Sequence, residues 1–172
     1  MIRFKLYYDK DAEQIWLNDM CRQGWAMVSF CLGIYTFIPC QSGEFIYQID
    51  LLPGSGFQCD APEGYQEFME DTGVEVVQRW VRWVYLRRPA AAGPFEIYTD
   101  PASQAALYRR IRLLFTWVLG LDLCCSASVW GNLDRGGFYV AIAGLYLVIF
   151  AVFLRVIWRC TCRIRELGQP VG

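Results

Sequence analysis

The amino-acid sequence predicts an α+β protein, in which an N-terminal domain with a repeated βαββ pattern precedes a hairpin of two transmembrane helices. The apolar residues, 55% of the 172-residue chain, concentrate in two long runs near the C-terminus. The charges divide at a similar place. Residues 1–104 hold 8 Lys/Arg and 14 Asp/Glu, a net charge of −6, whereas residues 105–172 hold 8 Arg and 3 acids, a net charge of +5. The front half contains a strand and helix pattern that occurs twice.

Strands are predicted where aromatic and β-branched residues are enriched between turn residues. In each unit the strand pair after the helix ends near a proline, Pro39 or Pro89. A proline has no backbone N–H to donate to a neighbouring strand and therefore favours a strand end. The predicted strands are residues 3–8, 25–30, 33–38 and 45–51, two strands within 74–85, and a short strand at 95–98.

One helix is predicted in each unit. Asp11 followed by Gln14 has the spacing of a capping box, in which the first side chain accepts from backbone N–H groups and the second reaches back. Residues 60–63 repeat this spacing, with a proline in the first turn. Gly24 and Gly73 follow the two apolar helical faces and favour helix termination.

The two units align at an offset of 49 to 50 residues. Because one unit cannot bury its own sheet face, we expect the two units to form one sheet beneath two helices, in a ferredoxin-like arrangement over residues 1–100. The aligned pairs are Trp16 and Tyr65, Met20 and Met69, Gly24 and Gly73, Tyr35 and Tyr85, and Pro39 and Pro89.

The C-terminal part predicts a membrane hairpin. Residues 113–130 and 138–158 are each close to the ~20 apolar residues that span a bilayer, and the short turn at 131–137 makes them antiparallel. The positive-inside rule then places the N-terminal domain, a juxtamembrane helix at 101–112 and a tail at 159–172 in the cytosol, on the inner side of the cytoplasmic membrane. The arginines that fix this orientation are Arg109, Arg110, Arg112, Arg155, Arg159, Arg163 and Arg165.

The composition argues against several functional classes. The chain has no His, which excludes Ser-His and Cys-His nucleophile pairs and His-ligated metals. The eight Cys are irregularly spaced, and Cys160 and Cys162 form only an isolated pair near the C-terminus. An acidic front half does not resemble a nucleic-acid-binding protein. We therefore expect no catalytic residue, no metal, no cofactor and no nucleic-acid partner.

Asp122 is the intramembrane candidate for function. A carboxylate near the middle of a transmembrane segment costs ~2.5–3.5 kcal/mol on insertion scales, so we expect it to be protonated or hydrogen-bonded. Counting inward along both helices places Tyr146 at the same depth, and its hydroxyl is the candidate partner. The alternative is that Asp122 bonds only its own backbone or Ser126.

A run of alternating basic and aromatic residues in the second unit suggests a contact surface. Such a run can stack nucleobases, but alternation along strands favours aromatic side chains packed under the helices and Arg side chains in water. The arginines are then candidates for contact with lipid headgroups or with an acidic partner. They are Arg79, Arg82, Arg87 and Arg88.

Several motifs resemble the bacterial "domain of unknown function 2812" family over residues 1 to about 110. A membrane hairpin commonly follows in that family, and its members are often encoded beside PadR-type transcriptional regulators, which implies a regulatory setting. The resemblance implies no catalytic residue. Leu86 stands where the family pattern implies an aromatic residue. The motifs are Trp16-Leu-Asn-x-Met20-x-x-x-Gly24-Trp25, Tyr35-x-Phe37, Phe45-x-Tyr47-x-x-Asp50, Gly73-x-Glu75-x-Val77, Arg87-Arg88 and Phe95-Glu-Ile-Tyr-Thr-Asp100.

Three hypotheses about function follow from these observations. The leading hypothesis is a non-enzymatic, membrane-anchored regulatory or sensor protein, whose cytosolic domain binds a protein partner or small ligand and whose hairpin anchors it and supports a homo-oligomer. The alternative is an accessory subunit of a membrane transport or efflux complex, to which Asp122 contributes. An enzyme that uses carboxylates or thiols is the third.

Overall fold

Among the described residues, the N-terminal part of the chain, Met1–Thr99, has two three-stranded antiparallel sheets, two α-helices and a short 3₁₀ helix at Ala90–Ala92. The C-terminal part, Asp100–Gly172, has two long helices. In this computed structural model the structure describes residues 1–54, 59, 64–133 and 136–168, without the side chains of Gln66 and Phe68. The elements are β1 Ile2–Phe4, α1 Lys10–Arg22, β2 Trp25–Cys31, β3 Ile34–Pro39, β4 Phe45–Leu51, α2 Tyr65–Asp71, β5 Glu75–Trp80, β6 Trp83–Pro89, α3 Pro101–Trp130 and α4 Gly137–Gly168.

The α+β class is confirmed, but the expected single sheet is wrong. The strand orders are β1-β3-β2 in the first sheet and β4-β6-β5 in the second, and the ferredoxin-like order is not found. Side chains from both sheets instead pack on α1, so the two βαββ units share a hydrophobic core but not a hydrogen-bonded ladder. In the part of the chain that the structure describes, each sheet is formed within its own unit.

The repeat is visible in the backbone of the two hairpins. Each has a β-bulge, between Met27 and Ser29 in β2 and between Val76 and Gln78 in β5. Each turn has two residues, and the first has a positive φ: 47° at Leu32 and 58° at Val81. Both features recur at an offset of 49 residues.

This constant offset corrects the sequence alignment past the turn. Tyr35 pairs with Phe30 in the first hairpin, and the equivalent residue of the second hairpin is Val84, which pairs with Arg79. The predicted equivalence of Tyr35 and Tyr85 is therefore wrong by one residue. Because neighbouring residues of a strand point to opposite faces, Tyr85 points to the face opposite that of Val84, the true equivalent of Tyr35.

The first core lies around α1. Side chains from α1, from the inner face of the first sheet and from one face of the second sheet pack together, and each large apolar side chain buried in this way contributes about 1.5–3 kcal/mol. The buried members are Leu17, Met20, Cys21, Met27, Tyr35, Phe37, Tyr47, Ile49 and Tyr85.

The second core lies on the other face of the second sheet, where Val84 and Leu86 of β6 pack with α2 and with Phe95. The strand predicted at residues 95–98 does not form. Gln48 donates its side-chain N–H to the Phe95 carbonyl at 2.7 Å, and the Tyr98 hydroxyl donates to the Asp50 carboxylate at 3.1 Å. Side chains of β4 thus hold this segment, which covers the sheet without joining it.

The N-terminus of α1 differs from its prediction. Asp9 is the N-cap and accepts from the Asp11 N–H at 3.2 Å, so the cap lies two residues before the expected one at Asp11. Gln14 accepts from the Ile49 N–H instead of reaching back. Gly24 and Gly73 follow the ends of α1 and α2 with φ of 85° and 74°, as predicted. The capping box at residues 60–63 lies outside the described residues.

The C-terminal part of the chain, Asp100–Gly172, begins at a predicted helix cap. The Asp100 carboxylate accepts from the Ser103 N–H at 2.8 Å, and Pro101 occupies the first turn of α3. The two helices pack along each other, and the Phe115 and Phe153 rings lie 5.7 Å apart. By length and composition, both α3 and α4 are apolar and long enough to cross a membrane.

Candidate functional site

The outer face of the first sheet is apolar and exposed. Alternation along β3 puts Tyr35 and Phe37 into the core and leaves Ile34 and Ile38 on the opposite side. Phe4 of β1 pairs directly with Ile34 and adds to the same side. Six apolar residues on this side and at its end, here called the outer face, are each 47–71% exposed: Ile2, Phe4, Leu6, Leu32, Ile34 and Ile38.

Gly33 allows the chain after β1 to lie against the hairpin turn. Its φ is 83°, and a Cβ there would lie 2.6 Å from the Leu6 Cδ2 and 3.1 Å from the Lys5 carbonyl oxygen. The Lys5 N–H donates to the Gly33 carbonyl at 2.8 Å. A glycine is therefore needed both for the turn and for the close approach that brings Leu6 next to the sheet.

A buried carboxylate connects α1 with both sheets. The hydroxyls of Tyr35 and Tyr85 both donate to Glu13 Oε1, at 2.6 and 2.7 Å. Burial raises the pKa of Glu13, against the opposing effects of the two hydroxyls and of Lys10. Burial and the Glu13 carboxylate likewise raise the pKa of both tyrosines.

Glu13 is not among the residues predicted from the sequence. Glu13 lies four residues before Leu17 and seven before Met20, so it occupies the apolar face of α1, and an acid in that pattern is the signal that identifies it. Because its partners come from β3 and β6, the network fixes α1 against both sheets. It is a structural feature of the first core.

The four candidate arginines do not form one surface. Arg79 is exposed and donates to Cys59 Sγ at 3.4 Å. Arg87 forms a two-point ion pair with Glu75, at 2.8 and 2.7 Å, and its guanidinium lies 4.4 Å from the centre of the Phe45 ring. Arg88 is half-buried on the same strand. Contact of these residues with headgroups or with a partner stays a prediction.

Arg82 corrects the expectation that these arginines lie in water. It is 2% exposed, and its Nε and Nη2 donate to the Leu52 carbonyl at 3.0 and 2.9 Å. The Leu52 N–H donates in return to the Arg82 carbonyl at 2.9 Å. Arg82 follows Val81 in the turn, and the turn directs its side chain inward toward the end of β4, an effect that strand alternation does not predict.

Asp122 and Tyr146 line one cleft between α3 and α4. The cleft has a volume of about 230 Å³, and its other walls are Leu123, Ser126, Trp130, Leu147 and Phe150. In the described part of the chain no hydrogen bond joins the side chains of Asp122 and Tyr146, and their partnership stays a prediction. The alternative bond to Ser126 is also missing among the described residues, since the Ser126 hydroxyl donates to the Leu123 carbonyl at 3.0 Å.

The cysteines and acids show no metal-binding cluster in the described part of the chain. All eight cysteines are free thiols. Burial and the neighbouring Cys21 raise the pKa of the Cys40 thiol to about 11, which keeps it protonated. Over residues 1–54, 59, 64–133 and 136–168, three or more Cys, Asp or Glu side chains nowhere gather around a point where an ion could bind.

Comparison with known proteins identifies a family. The model of the family described as "Protein of unknown function (DUF2812)" matches residues 9–119, which include most of Met1–Thr99 and the start of α3. No curated protein matches the chain. No solved structure matches it either. The family match covers more than half of the chain and agrees with the motif resemblance, so the chain belongs to the DUF2812 family.

Proposed function

We propose that this protein is a non-enzymatic, membrane-anchored regulator whose N-terminal domain binds a protein partner through the outer face of the first sheet. The exposed apolar surface at Ile2, Phe4 and Ile34 is the observation that carries the proposal. Soluble domains rarely leave a contiguous apolar patch in water unless it binds something.

The size of the outer face supports a protein partner. Six side chains that each present on the order of 100 Å² give a surface approaching the roughly 800 Å² per partner of a standard interface. Among the residues that the structure describes, no strand pairs with the edge of β1 opposite β3, so an apolar strand of the partner can add to the sheet there. Backbone pairing and apolar contact would then act together.

The hairpin supplies the anchor in this proposal. The apolar length of α3 and α4 supports two membrane crossings, and the arginines outside the apolar runs support cytosolic chain ends. The partner would accordingly be a cytosolic protein recruited to the membrane. Arg79, exposed on the second hairpin, is then free of the core and available to an acidic partner or to headgroups.

Photo-crosslinking in living cells tests the proposal. A photoreactive phenylalanine analogue in place of Ile34 should give one discrete crosslinked product that contains a second protein. Phe4→Glu in the same chain should abolish that product, because a charge in the middle of the patch opposes its desolvation. Ile15→Glu is the matched control, since Ile15 is 60% exposed but lies on α1, and it should leave the product intact.

Two results would contradict the proposal. A product that contains only two copies of this chain would assign the outer face to self-association. Crosslinking to lipid alone would assign it to the bilayer surface.

A further inference from the structure

The cleft that contains Asp122 lies in the half of the hairpin next to the turn. Asp122 is eight residues before the end of α3 at Trp130, and Tyr146 is nine residues after the start of α4 at Gly137. At 1.5 Å per residue, both lie roughly 12–14 Å along their helices from the turn. The two side chains therefore share one depth, as the cleft requires.

The Asp122 carboxylate has no partner within the described residues of the protein. Its neighbour Ser126 donates elsewhere. The arginines flanking the hairpin are distant along their helices: Arg112 precedes Asp122 by ten residues, and Arg155 follows Tyr146 by nine. Each is about one third of a bilayer away along the helix axis. An acid in such a place is stabilised by a cation or by a proton.

The walls of the cleft are suited to an organic cation. Trp130, Tyr146 and Phe150 line the same cleft as Asp122. Aromatic faces attract ammonium groups, most strongly where water is excluded. Leucines complete the walls. The volume of about 230 Å³ is below the ~300–1,000 Å³ of typical drug-sized pockets, which restricts the ligand to about one ring and a small head.

We propose that the cleft between α3 and α4 binds a small hydrophobic organic monocation, with its ammonium group at Asp122 and its apolar part among Trp130, Tyr146 and Phe150. This inference rests on the proposed membrane hairpin but not on the proposed partner of the N-terminal domain. Asp122 supplies the charge, and the aromatic walls supply the preference for an organic over an inorganic cation.

Calorimetric titration of the full-length protein in a non-ionic detergent, with benzyltrimethylammonium as the probe, tests this site. We expect saturable binding that Asp122→Asn weakens about tenfold or more, because the variant keeps the shape and removes the charge. Glu166→Gln is the matched control: Glu166 is an exposed acid of α4 paired with Arg163, and its removal should change the affinity less than about twofold.

The aromatic wall is tested by two substitutions at one position. Tyr146→Leu should weaken binding by about three- to tenfold, because it removes a ring beside the ammonium group. Tyr146→Phe should bind within about twofold of the natural protein, because the hydroxyl makes no bond to Asp122. Equal effects of the two substitutions would contradict the ring's role and favour the hydroxyl.

A competition on the unaltered protein keeps the test independent of variant folding. Neopentylbenzene has the shape of benzyltrimethylammonium without its charge and should not displace it. Displacement by this neutral compound, equal binding by Asp122→Asn, or no saturable binding by the natural protein would each overturn the proposed cation site. Membrane insertion is read separately, by labelling of Asn132→Cys from outside intact cells, so failure of the anchor and failure of the cleft give different results.

Discussion

The two βαββ units have the same backbone plan and cover their sheets differently. Bulge and turn recur at an offset of 49 residues, yet the first sheet has one buried face and the second has two. The second residue of the turn is Gly33 in one unit and Arg82 in the other. A repeated backbone therefore does not imply repeated packing: the second sheet is covered on both faces, whereas the first leaves one apolar face exposed.

The largest expected effect concerns the turn of the second unit. Both cores lie within residues 1–99, so we expect this fragment to unfold as one cooperative transition. In it, Arg82→Met keeps much of the side-chain volume but leaves the buried Leu52 carbonyl without its side-chain donors, which should lower the free energy of unfolding by ~2–3 kcal/mol. Urea unfolding measures the change.

Arg79 is the control for that prediction. It lies on the strand before the same turn and is exposed, so Arg79→Met should change the free energy of unfolding by less than about 0.5 kcal/mol. Equal effects of the two substitutions would mean that the second turn is no more dependent on its arginine than on a surface residue, and the contrast between the units would weaken.

The second effect concerns Glu13 in the first βαββ unit, whose equivalent in the second βαββ unit is Pro62. The folded state raises the pKa of Glu13 above its ordinary value of 4.5, so its stabilising contribution is complete below about that pH and is lost as the pH rises through the folded-state pKa. The stability difference between the natural fragment and Glu13→Gln should therefore decrease with rising pH, by at most ~1.4 kcal/mol per pH unit.

Urea unfolding from pH 4 to 8 checks the sign. Glu13→Gln still offers an oxygen to Tyr35 and Tyr85, so its profile should lack this decline. Asp19→Asn, which removes an acid from the more exposed side of α1, should retain it. A difference that grows with pH would show that the two hydroxyls outweigh burial.

The smallest effect compares the two turns directly. Val81 is β-branched and has a φ of 58°, whereas Leu32 has a φ of 47° and is followed by a glycine. Val81→Gly should raise the free energy of unfolding by ~1 kcal/mol, because it relieves a left-handed conformation that β-branched residues avoid. Leu32→Gly should gain less than about half of that. A larger gain at Leu32 would reverse the assignment of strain between the units.

Features governed by neighbouring residues were predictable from the sequence. The cap at Asp100 and Pro101 fixes the start of α3, and the apolar alternation of Phe45–Leu51 defines β4 with the observed bounds. Asp122 and Tyr146 could be placed at one depth because helices advance by a constant rise. In each case the signal and the structure lie within a few residues or follow a regular repeat.

The features that failed depend on distant parts of the chain. Residues 95–98 have a strand-like composition, but Gln48 and Asp50 bond to that segment from the side. Among the described residues the two sheets pack side chains on α1 without pairing their strands, an arrangement between distant segments that strand propensity does not report. The inward direction of Arg82 follows from one turn conformation, so a single positive φ at Val81 reverses what alternation predicts.

The covering of β6 has a consequence for the order in which the domain opens. Its amides pair with β4 on one side and β5 on the other, and packed side chains shield both faces of the strand. We therefore expect these amides to exchange with solvent deuterium only when the whole domain unfolds. β3 is also central in its sheet, but one of its faces meets water, so the first sheet can open in a smaller fluctuation. The surface proposed for binding thus belongs to the sheet that we expect to deform at the lower free-energy cost of the two.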